Sequence, residues 1–117
     1  FCAGAMVKQC LEAAKILDQK QIYAKVVNMH TIKPIDKKAV EESYNSKLII
    51  SVEEHNIVGG LGSAIAEHKA KLSKSPKQLF LGVKDIYSKG GSYKFLQEKH
   101  RLTSEKIVED IVLELGK

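Results

Sequence analysis

Two carboxylates, an imidazole and an amide occupy positions 53–56, and a glycine-rich turn follows them at 57–63. Carboxylates and imidazoles can act in acid–base catalysis or bind a metal ion, and a glycine turn that opens a helix can bind phosphate through its backbone amides. An apolar run at 48–52 precedes these residues, and a helical pattern at 64–72 follows them. Since open α/β sheets place functional groups at the carboxyl ends of their strands, this region is the first candidate site.

The glycine turn does not match the known phosphate-binding motifs. Gly60-Leu61-Gly62 lacks the third glycine of G-x-G-x-x-G, and the sequence contains no G-x-x-x-x-G-K-[ST]. The preceding carboxylates, Glu53 and Glu54, would also repel an anion. We therefore expect the small residues to serve a tight turn and close packing between helix and strand.

Metal binding and direct catalysis by His55 are the other hypotheses for this stretch. Neighbouring strand residues point in opposite directions, so Glu53 and Glu54 cannot both face one small site without a bend. The other three histidines are isolated, and no nucleophile–base pair can be assembled. We expect no catalytic, cofactor-binding or metal-binding residue in this chain, and instead a polar cluster that forms or supports an interface. The candidates for it are Glu54, His55, Asn56, Gly59, Gly60, Gly62 and Ser63.

Composition limits the class of protein. The 117 residues suffice for one domain, and the apolar fraction of 44% is ordinary for a globular chain. No apolar run approaches the roughly 20 residues that span a bilayer. The net charge of +5 comes from scattered lysines, and Arg101 is the one arginine. Because arginine is the usual residue for bidentate contacts to bases, the charge predicts a solvated surface rather than a nucleic-acid site.

The two cysteines, Cys2 and Cys10, fit neither a C-x-x-C motif nor a metal-ligand pattern. We expect two buried free thiols, although a disulfide between them stays open as an alternative. Free thiols and the lack of a signal-peptide pattern favour the reducing cytoplasm. The abrupt start at Phe1 suggests a piece of a longer polypeptide.

Strand-like and helix-like segments alternate along the chain. Strand patterns cover 1–4, 23–29, 47–52 and 78–83, and helical spacing or capping residues predict helices at 6–17, 36–44, 64–72, after Ser92 and after Thr103. This alternation predicts an α/β fold, a three-layer α/β/α sandwich with a parallel sheet. The loops at 30–36, 53–63 and 82–92 would then meet at one edge.

The order and spacing of these loops resemble the C-terminal domain of transketolase, most closely that of the C-terminal subunit of split transketolases. The resemblance covers residues 4–115 and rests on HTIKPID at 30–36, EEHN and GGLGS within 53–63, the loop at 82–91 and the segment 102–107. It implies a mostly parallel five-stranded sheet whose N-terminal edge strand, and part of the next strand, would precede Phe1. One departure is SYKF at 92–95, where the family has a proline–acid helix start.

The resemblance also implies a function for the complete enzyme. That enzyme would be a cytoplasmic transketolase of the pentose phosphate pathway, which uses thiamine diphosphate and Mg²⁺ to transfer a two-carbon ketol unit between sugar phosphates. The cofactor would lie between pyrimidine-binding and diphosphate-binding domains at a subunit interface. Residues 1–117 contain neither domain, so this domain alone would be inactive and bind no cofactor. Its partners would be those domains, in a homodimer or a heterotetramer.

Other families share such a domain. They include deoxyxylulose-phosphate synthase, the β subunit of 2-oxoacid dehydrogenases and the ferredoxin-dependent ketoacid oxidoreductases. A hypothesis of a different class is a stand-alone module that binds a protein partner or an anionic ligand.

Overall fold

The computed structural model describes residues 1–116, and it has the alternating α/β organisation expected from the sequence. The regular elements are α1 (Met6–Gln19), α2 (Lys37–Glu41), β1 (Leu48–Asn56), α3 (Leu61–Lys69), β2 (Lys77–Val83), α4 (Tyr93–Lys99) and α5 (Ser104–Leu115). Within residues 1–116, none of these helices combines the length and the apolar character that a bilayer crossing requires.

The sheet is parallel and is centred on β1. Strand β2 pairs with β1 in a register that matches Leu48 with Lys77 and Val52 with Leu81, followed by an irregularity before Asn56. On the other side of β1, the first segment of the chain forms a parallel bridge through Cys2 to Val52. The same Cys2 bridges outward to Asn28, so four parallel segments lie side by side. The predicted parallel sheet is confirmed.

Two of the four predicted strands are much shorter than expected. The segments 1–4 and 23–29 contain only the single bridges at Cys2 and Asn28. Backbone bonds flank these bridges, with Met29 N donating to Cys2 O at 2.8 Å and Val52 N donating to Phe1 O at 2.9 Å. Segment 23–29 has one neighbour in the described residues, and Tyr23 at its start is 85% exposed, so little pairing holds it in a regular strand.

Helices cover both faces of the sheet, as the three-layer prediction requires. Val52 and Leu81 face a cluster built by α1 and α5, with Met6, Leu17 and Ile107 among its members. On the opposite face, Ile49 packs with Val40 of α2 and with Leu61 and Ile65 of α3. Strand β1 therefore contributes alternate side chains to two cores, which explains its nearly continuous apolar sequence.

Three predicted helix caps are present. Asp36 Oδ1 accepts a hydrogen bond from Ala39 N at 3.0 Å, and Ser92 Oγ accepts one from Phe95 N at 3.2 Å. Thr103 Oγ1 accepts from Lys106 N at 3.4 Å. These side chains satisfy backbone donors of the first helical turn, and they fix where α2, α4 and α5 begin.

Candidate functional site

The polar residues 53–56 form the carboxyl end of β1 itself, rather than a loop after a strand that ends at 52. These side chains differ in their exposure to solvent. Glu53 is buried with 5% exposure, whereas Glu54 and His55 are exposed. Glu53 and Glu54 therefore face different environments, as their adjacency on a strand predicts.

Glu53 fills the N-terminus of α3 with its own carboxylate. Its Oε2 accepts a hydrogen bond from Leu61 N at 2.7 Å, and its Oε1 accepts one from Gly62 N at 3.0 Å. The charge lies at the positive end of the helix dipole, and it satisfies two donors that Gly60, as N-cap, has no side chain to reach. The amides that could bind a diphosphate are thus already occupied by an anion, and the turn does not fit that part of thiamine diphosphate.

Sequence reasoning missed this role of Glu53, which it considered as an acid–base or metal-binding group and as a charge that would repel an anion. The sequence did contain a signal for this role. The helix begins at glycine residues, which have no side chain to cap it, so its first backbone N–H groups need an acceptor from another part of the chain. The nearest buried acceptor along the chain is the carboxylate at the end of the preceding strand.

Two glycines of the turn allow close packing. A Cβ atom at Gly60 would overlap Glu53 Oε2, and one at Gly62 would lie 2.5 Å from both Phe80 Cδ1 and Ser51 Oγ. The turn also needs a left-handed backbone at Gly59, where φ is +83°. The structure therefore assigns these small residues to a tight turn and to close contact between α3 and the sheet.

Asn56 and Ser63 make side-chain hydrogen bonds to backbone groups of the turn. Asn56 Oδ1 accepts a hydrogen bond from Val58 N at 2.8 Å, while Asn56 Nδ2 donates to Asp85 Oδ1 at 3.1 Å in the next loop. Ser63 Oγ accepts from Gly59 N at 2.8 Å and donates to Ile57 O at 3.2 Å. The polar groups of both side chains are therefore already used in hydrogen bonds to nearby residues.

Glu54 and His55 are the polar candidates that face solvent. A hydrogen bond from the Tyr93 hydroxyl to Glu54 raises the pKa of Tyr93 and links the end of β1 to the start of α4. His55 Nδ1 lies 2.8 Å from Asn56 O, a contact to a neighbouring backbone group. Within residues 1–116, no group of three or more His, Cys, Asp or Glu side chains is placed to hold a metal ion.

The predicted gathering of three loops at one edge is observed. An open depression of about 420 Å³ is lined by Glu54, His55 and Gly60 together with Gly4 and with Ile32 of the 30–36 loop. The loop that follows β2 joins the same edge through the bond between Asn56 and Asp85. The depression is open to solvent.

Apolar side chains project from the same edge beside the polar cluster. Tyr87 is fully exposed, and Ile86 is 59% exposed in the loop after β2. Tyr93 and Phe95 of α4 are 55% and 51% exposed, and Val58 in the glycine turn is 68% exposed. Sequence reasoning singled out the 82–92 loop, which contains Ile86 and Tyr87, but it did not predict that these apolar side chains are exposed.

Comparison with known proteins gives consistent matches. The family model of the transketolase C-terminal domain matches residues 1–107. The putative transketolase C-terminal section of Methanocaldococcus jannaschii is 36% identical over 117 residues, which is 100% of this chain and 36% of that protein. The 1-deoxy-D-xylulose-5-phosphate synthase of Chlorobium luteolum is 32% identical over 112 residues, covering 95% of this chain and 18% of the enzyme.

A further relative and a solved structure agree with these matches. The 6-deoxy-6-sulfo-D-fructose transketolase subunit SqwH of a Clostridium species is 38% identical over 109 residues, with 92% of this chain and 34% of that subunit covered. A split gene transketolase, solved as an inactive β4 tetramer, superposes with a TM-score of 0.81 at 36% identity, over 92% of this chain and 34% of the other. The chain spans about a third, or less, of the length of these relatives. By sequence and by fold, it belongs to the family of transketolase C-terminal domains.

Proposed function

We propose that this chain is the C-terminal domain of a transketolase and that it holds subunits or domains of the enzyme together without supplying catalytic groups. One observation supports this most strongly: the polar groups at the loop edge serve the domain's own backbone, while apolar side chains beside them are exposed. Glu53, Asn56 and Ser63 are engaged within the turn. An exposed apolar patch with a polar rim is typical of a protein–protein interface.

We call this surface the contact edge and define it by its exposed side chains. They are Glu54, His55, Val58, Ile86, Tyr87, Tyr93 and Phe95. Tyrosine is among the residues that contribute most binding energy at interfaces, because it buries a large apolar ring and keeps a polar group for hydrogen bonding. The proposed partners are the pyrimidine-binding and diphosphate-binding domains or subunits of the same enzyme.

The names of two relatives support an assembly of subunits. One relative is named as a transketolase subunit, and the solved neighbour is described as a β4 tetramer. By analogy we propose a homodimer or a heterotetramer for the complete enzyme. Thiamine diphosphate and Mg²⁺ would bind in its other domains, where the cofactor supplies the chemistry of ketol transfer between sugar phosphates in the cytoplasm.

The proposal includes a strand segment before Phe1. A groove of about 480 Å³ is lined by Ala24 and the Leu48–Ile50 stretch, together with Leu17, Ile111 and Phe1. The nitrogen of Phe1 donates to Ile50 O at 2.7 Å, in line with the parallel ladder. An extended chain that leads into Phe1 would fill this groove. Adding the natural upstream residues should raise the free energy of unfolding, and no increase would contradict this part of the proposal.

The contact edge can be tested with matched tyrosines in the complete enzyme. Tyr87 lies on the edge, whereas Tyr23 is 85% exposed at the start of the segment 23–29, away from it. We expect Tyr87→Ala to weaken subunit association and ketol transfer at limiting protein concentration, and Tyr23→Ala to change neither. Analytical ultracentrifugation measures association, and a turnover assay with ketose-phosphate donor and aldose-phosphate acceptor measures ketol transfer. Equal behaviour of the two tyrosine variants would contradict the proposal.

The same measurements apply to His55. We expect His55→Ala to weaken association without unfolding the domain.

Deoxyxylulose-phosphate synthase is the second candidate for the complete enzyme. It is favoured by several relatives with that name, at 32% to 38% identity over nearly the whole chain. The two activities differ in donor, because a synthase of this kind releases CO₂ from a 2-oxoacid whereas a transketolase uses a ketose phosphate. Supplying each donor in turn, with the same aldose-phosphate acceptor, distinguishes the two activities.

A further inference from the structure

Two buried thiols, Cys2 and Cys10, lie in the core between the sheet and α1, and the proposed function does not use them. Cys2 has no exposed surface, and Cys10 is 9% exposed. The chain reverses between them, since Gly4 adopts a φ of +56° and α1 begins at Met6. The second turn of α1 therefore packs over the segment that holds Cys2, and both cysteines belong to one core cluster.

The two side chains belong to one core cluster and line one small cavity. Their mutual interaction lowers the pKa of Cys2, and together with burial it raises the pKa of Cys10. Cys2 is therefore the sulfur with the greater thiolate character, while Cys10 keeps its proton and donates it. Cys2 Sγ also lies 3.7 Å from Val27 O, which accepts from the thiol when it is protonated. The thiolate is the nucleophile in cysteine oxidation, so the two sulfurs have distinct roles.

A small cavity gives both sulfurs a place to react. It has a volume of about 50 Å³ and is lined by Cys2 and Cys10 together with Ala14 and Ala24. A cavity admits a water molecule when about 10–15 Å³ is available to it, so this one has room for a molecule as small as hydrogen peroxide. The alanines leave space at positions where larger side chains would close the cavity.

We propose that Cys2 and Cys10 form a peroxide-sensitive pair that closes to a disulfide between the first chain segment and α1. The Cys2 thiolate attacks one oxygen of hydrogen peroxide; an S–O bond forms, the O–O bond breaks, and the departing hydroxide takes a proton and leaves as water. Cys10 then gives up its proton and attacks the sulfenic sulfur, so that an S–S bond forms and a second water leaves. The two sulfurs lose two electrons in total, which reduce one peroxide to two waters.

The sequence offers a direct way to detect this bond. Trypsin cleaves after Lys8, which lies between the two cysteines, and after Lys15, so each cysteine falls in a separate peptide. The folded chain is treated with hydrogen peroxide near stoichiometry, remaining thiols are alkylated, and the digest is analysed by mass spectrometry without reductant. We expect loss of both alkylatable thiols, and a cross-linked pair formed by the peptide ending at Lys8 and the peptide 9–15. Dithiothreitol should restore both thiols.

Two variants assign the separate roles of the sulfurs. In Cys10→Ser the sulfenic acid on Cys2 has no resolving thiol, so we expect it to be captured by dimedone at Cys2 while the cross-link is lost. In Cys2→Ser we expect Cys10 to stay reduced at the same peroxide dose. Cys10→Ala replaces Cys10→Ser if circular dichroism shows that the serine variant does not fold.

Three outcomes would overturn the proposal. They are two thiols that remain alkylatable in the folded chain, over-oxidation of one cysteine without a cross-link, and a cross-link that forms only in denaturant. All of these are measured on the sulfur atoms themselves. The result therefore does not depend on enzyme activity or on the proposed role of the contact edge.

Discussion

The turn at 57–63 and the loop at 84–92 are neighbours at the same edge of the sheet, but they use their side chains in opposite ways. In the turn, Ser63 and the preceding Asn56 are bonded to nearby backbone groups, and Glu53 binds two amides of α3. In the loop, every residue from 84 to 92 is exposed, and Tyr87 is fully so. The turn is therefore part of the fold, whereas the loop offers apolar area to a partner.

Glycines in the two regions differ in the same way. Gly62 in the turn has Phe80 and Ser51 within 2.5 Å of the place a Cβ would occupy, whereas Gly90 in the loop has nothing within 4 Å. The same residue type thus marks close packing in one region and open chain in the other. A motif of glycine and polar residues at a strand end does not by itself indicate a ligand site, because the packing of the site decides what those residues do.

The strongest test of this contrast is the loss of the Glu53 carboxylate. Glu53→Ala leaves two buried helix donors without their acceptor, and we expect a loss of about 3 kcal/mol in the free energy of unfolding. Glu53→Gln keeps one acceptor oxygen, but its NH2 group faces the other helix donor and the charge at the helix N-terminus is lost, so it should cost about 2 kcal/mol. Urea denaturation of the chain measures both changes.

Glu54 is the matched control, because it is the same residue type one position along the strand and is exposed. We expect Glu54→Ala to change the free energy of unfolding by less than about 0.5 kcal/mol. Equal losses at Glu53 and Glu54 would show that the carboxylate does not hold the turn.

The glycines provide a second test. Gly62→Ala must displace Phe80 or Ser51, and we expect a loss of about 1–3 kcal/mol because overpacking strains the contact between α3 and the sheet. Gly90→Ala meets no atom, so it should be neutral or stabilise by about 0.5 kcal/mol through reduced freedom of the unfolded chain. Thermal unfolding of both variants measures the two changes in stability. Equal changes would contradict the difference in glycine packing between the turn and the loop.

A third test concerns the hydrogen bond that joins β1 to α4. Because Glu54 accepts from the Tyr93 hydroxyl, it raises the pKa of Tyr93, and Glu54→Gln should lower that pKa. The bond contributes stability below the ordinary tyrosine pKa of about 10 and is lost as the pH rises through the raised value. Ultraviolet titration of the phenolate, with Tyr93→Phe used to subtract the other tyrosines, gives the shift. An unchanged pKa in Glu54→Gln would mean that β1 and α4 are not linked by this bond.

Local chemistry was predictable from the sequence, and contacts between distant segments were not. The caps at Asp36, Ser92 and Thr103 follow from a side chain and an amide three residues away, so their pattern is visible in the chain. The segment 23–29 was predicted as a strand but has a single bridge, at Asn28, because regular pairing depends on its neighbours in space. Propensity alone could not reveal this.

The candidate site shows the same limit. The turn and its small residues were found from the sequence, since glycine after an apolar strand is a local signal. The bond of Glu53 to Leu61 and Gly62, and that of Tyr93 to Glu54, depend on how the turn and α4 return to β1. Neither contact has a fixed spacing in the sequence, so the structure was needed to separate the buried carboxylate from the exposed one.

The last prediction concerns Ser51, whose side chain lies close to Gly62 of the turn. Its Oγ is fully buried and has no hydrogen-bond partner among residues 1–116, although a Cβ at Gly62 would lie 2.5 Å from it. Ser51→Ala removes an unsatisfied polar atom and keeps the space small, so we expect the free energy of unfolding to rise by up to about 1 kcal/mol. In the double variant with Gly62→Ala, the smaller residue should reduce the cost of the added methyl, because both atoms compete for one space. Additive effects in urea denaturation would show that Phe80 alone limits the size of residue 62, and a marked loss from Ser51→Ala would show that its hydroxyl does serve the turn.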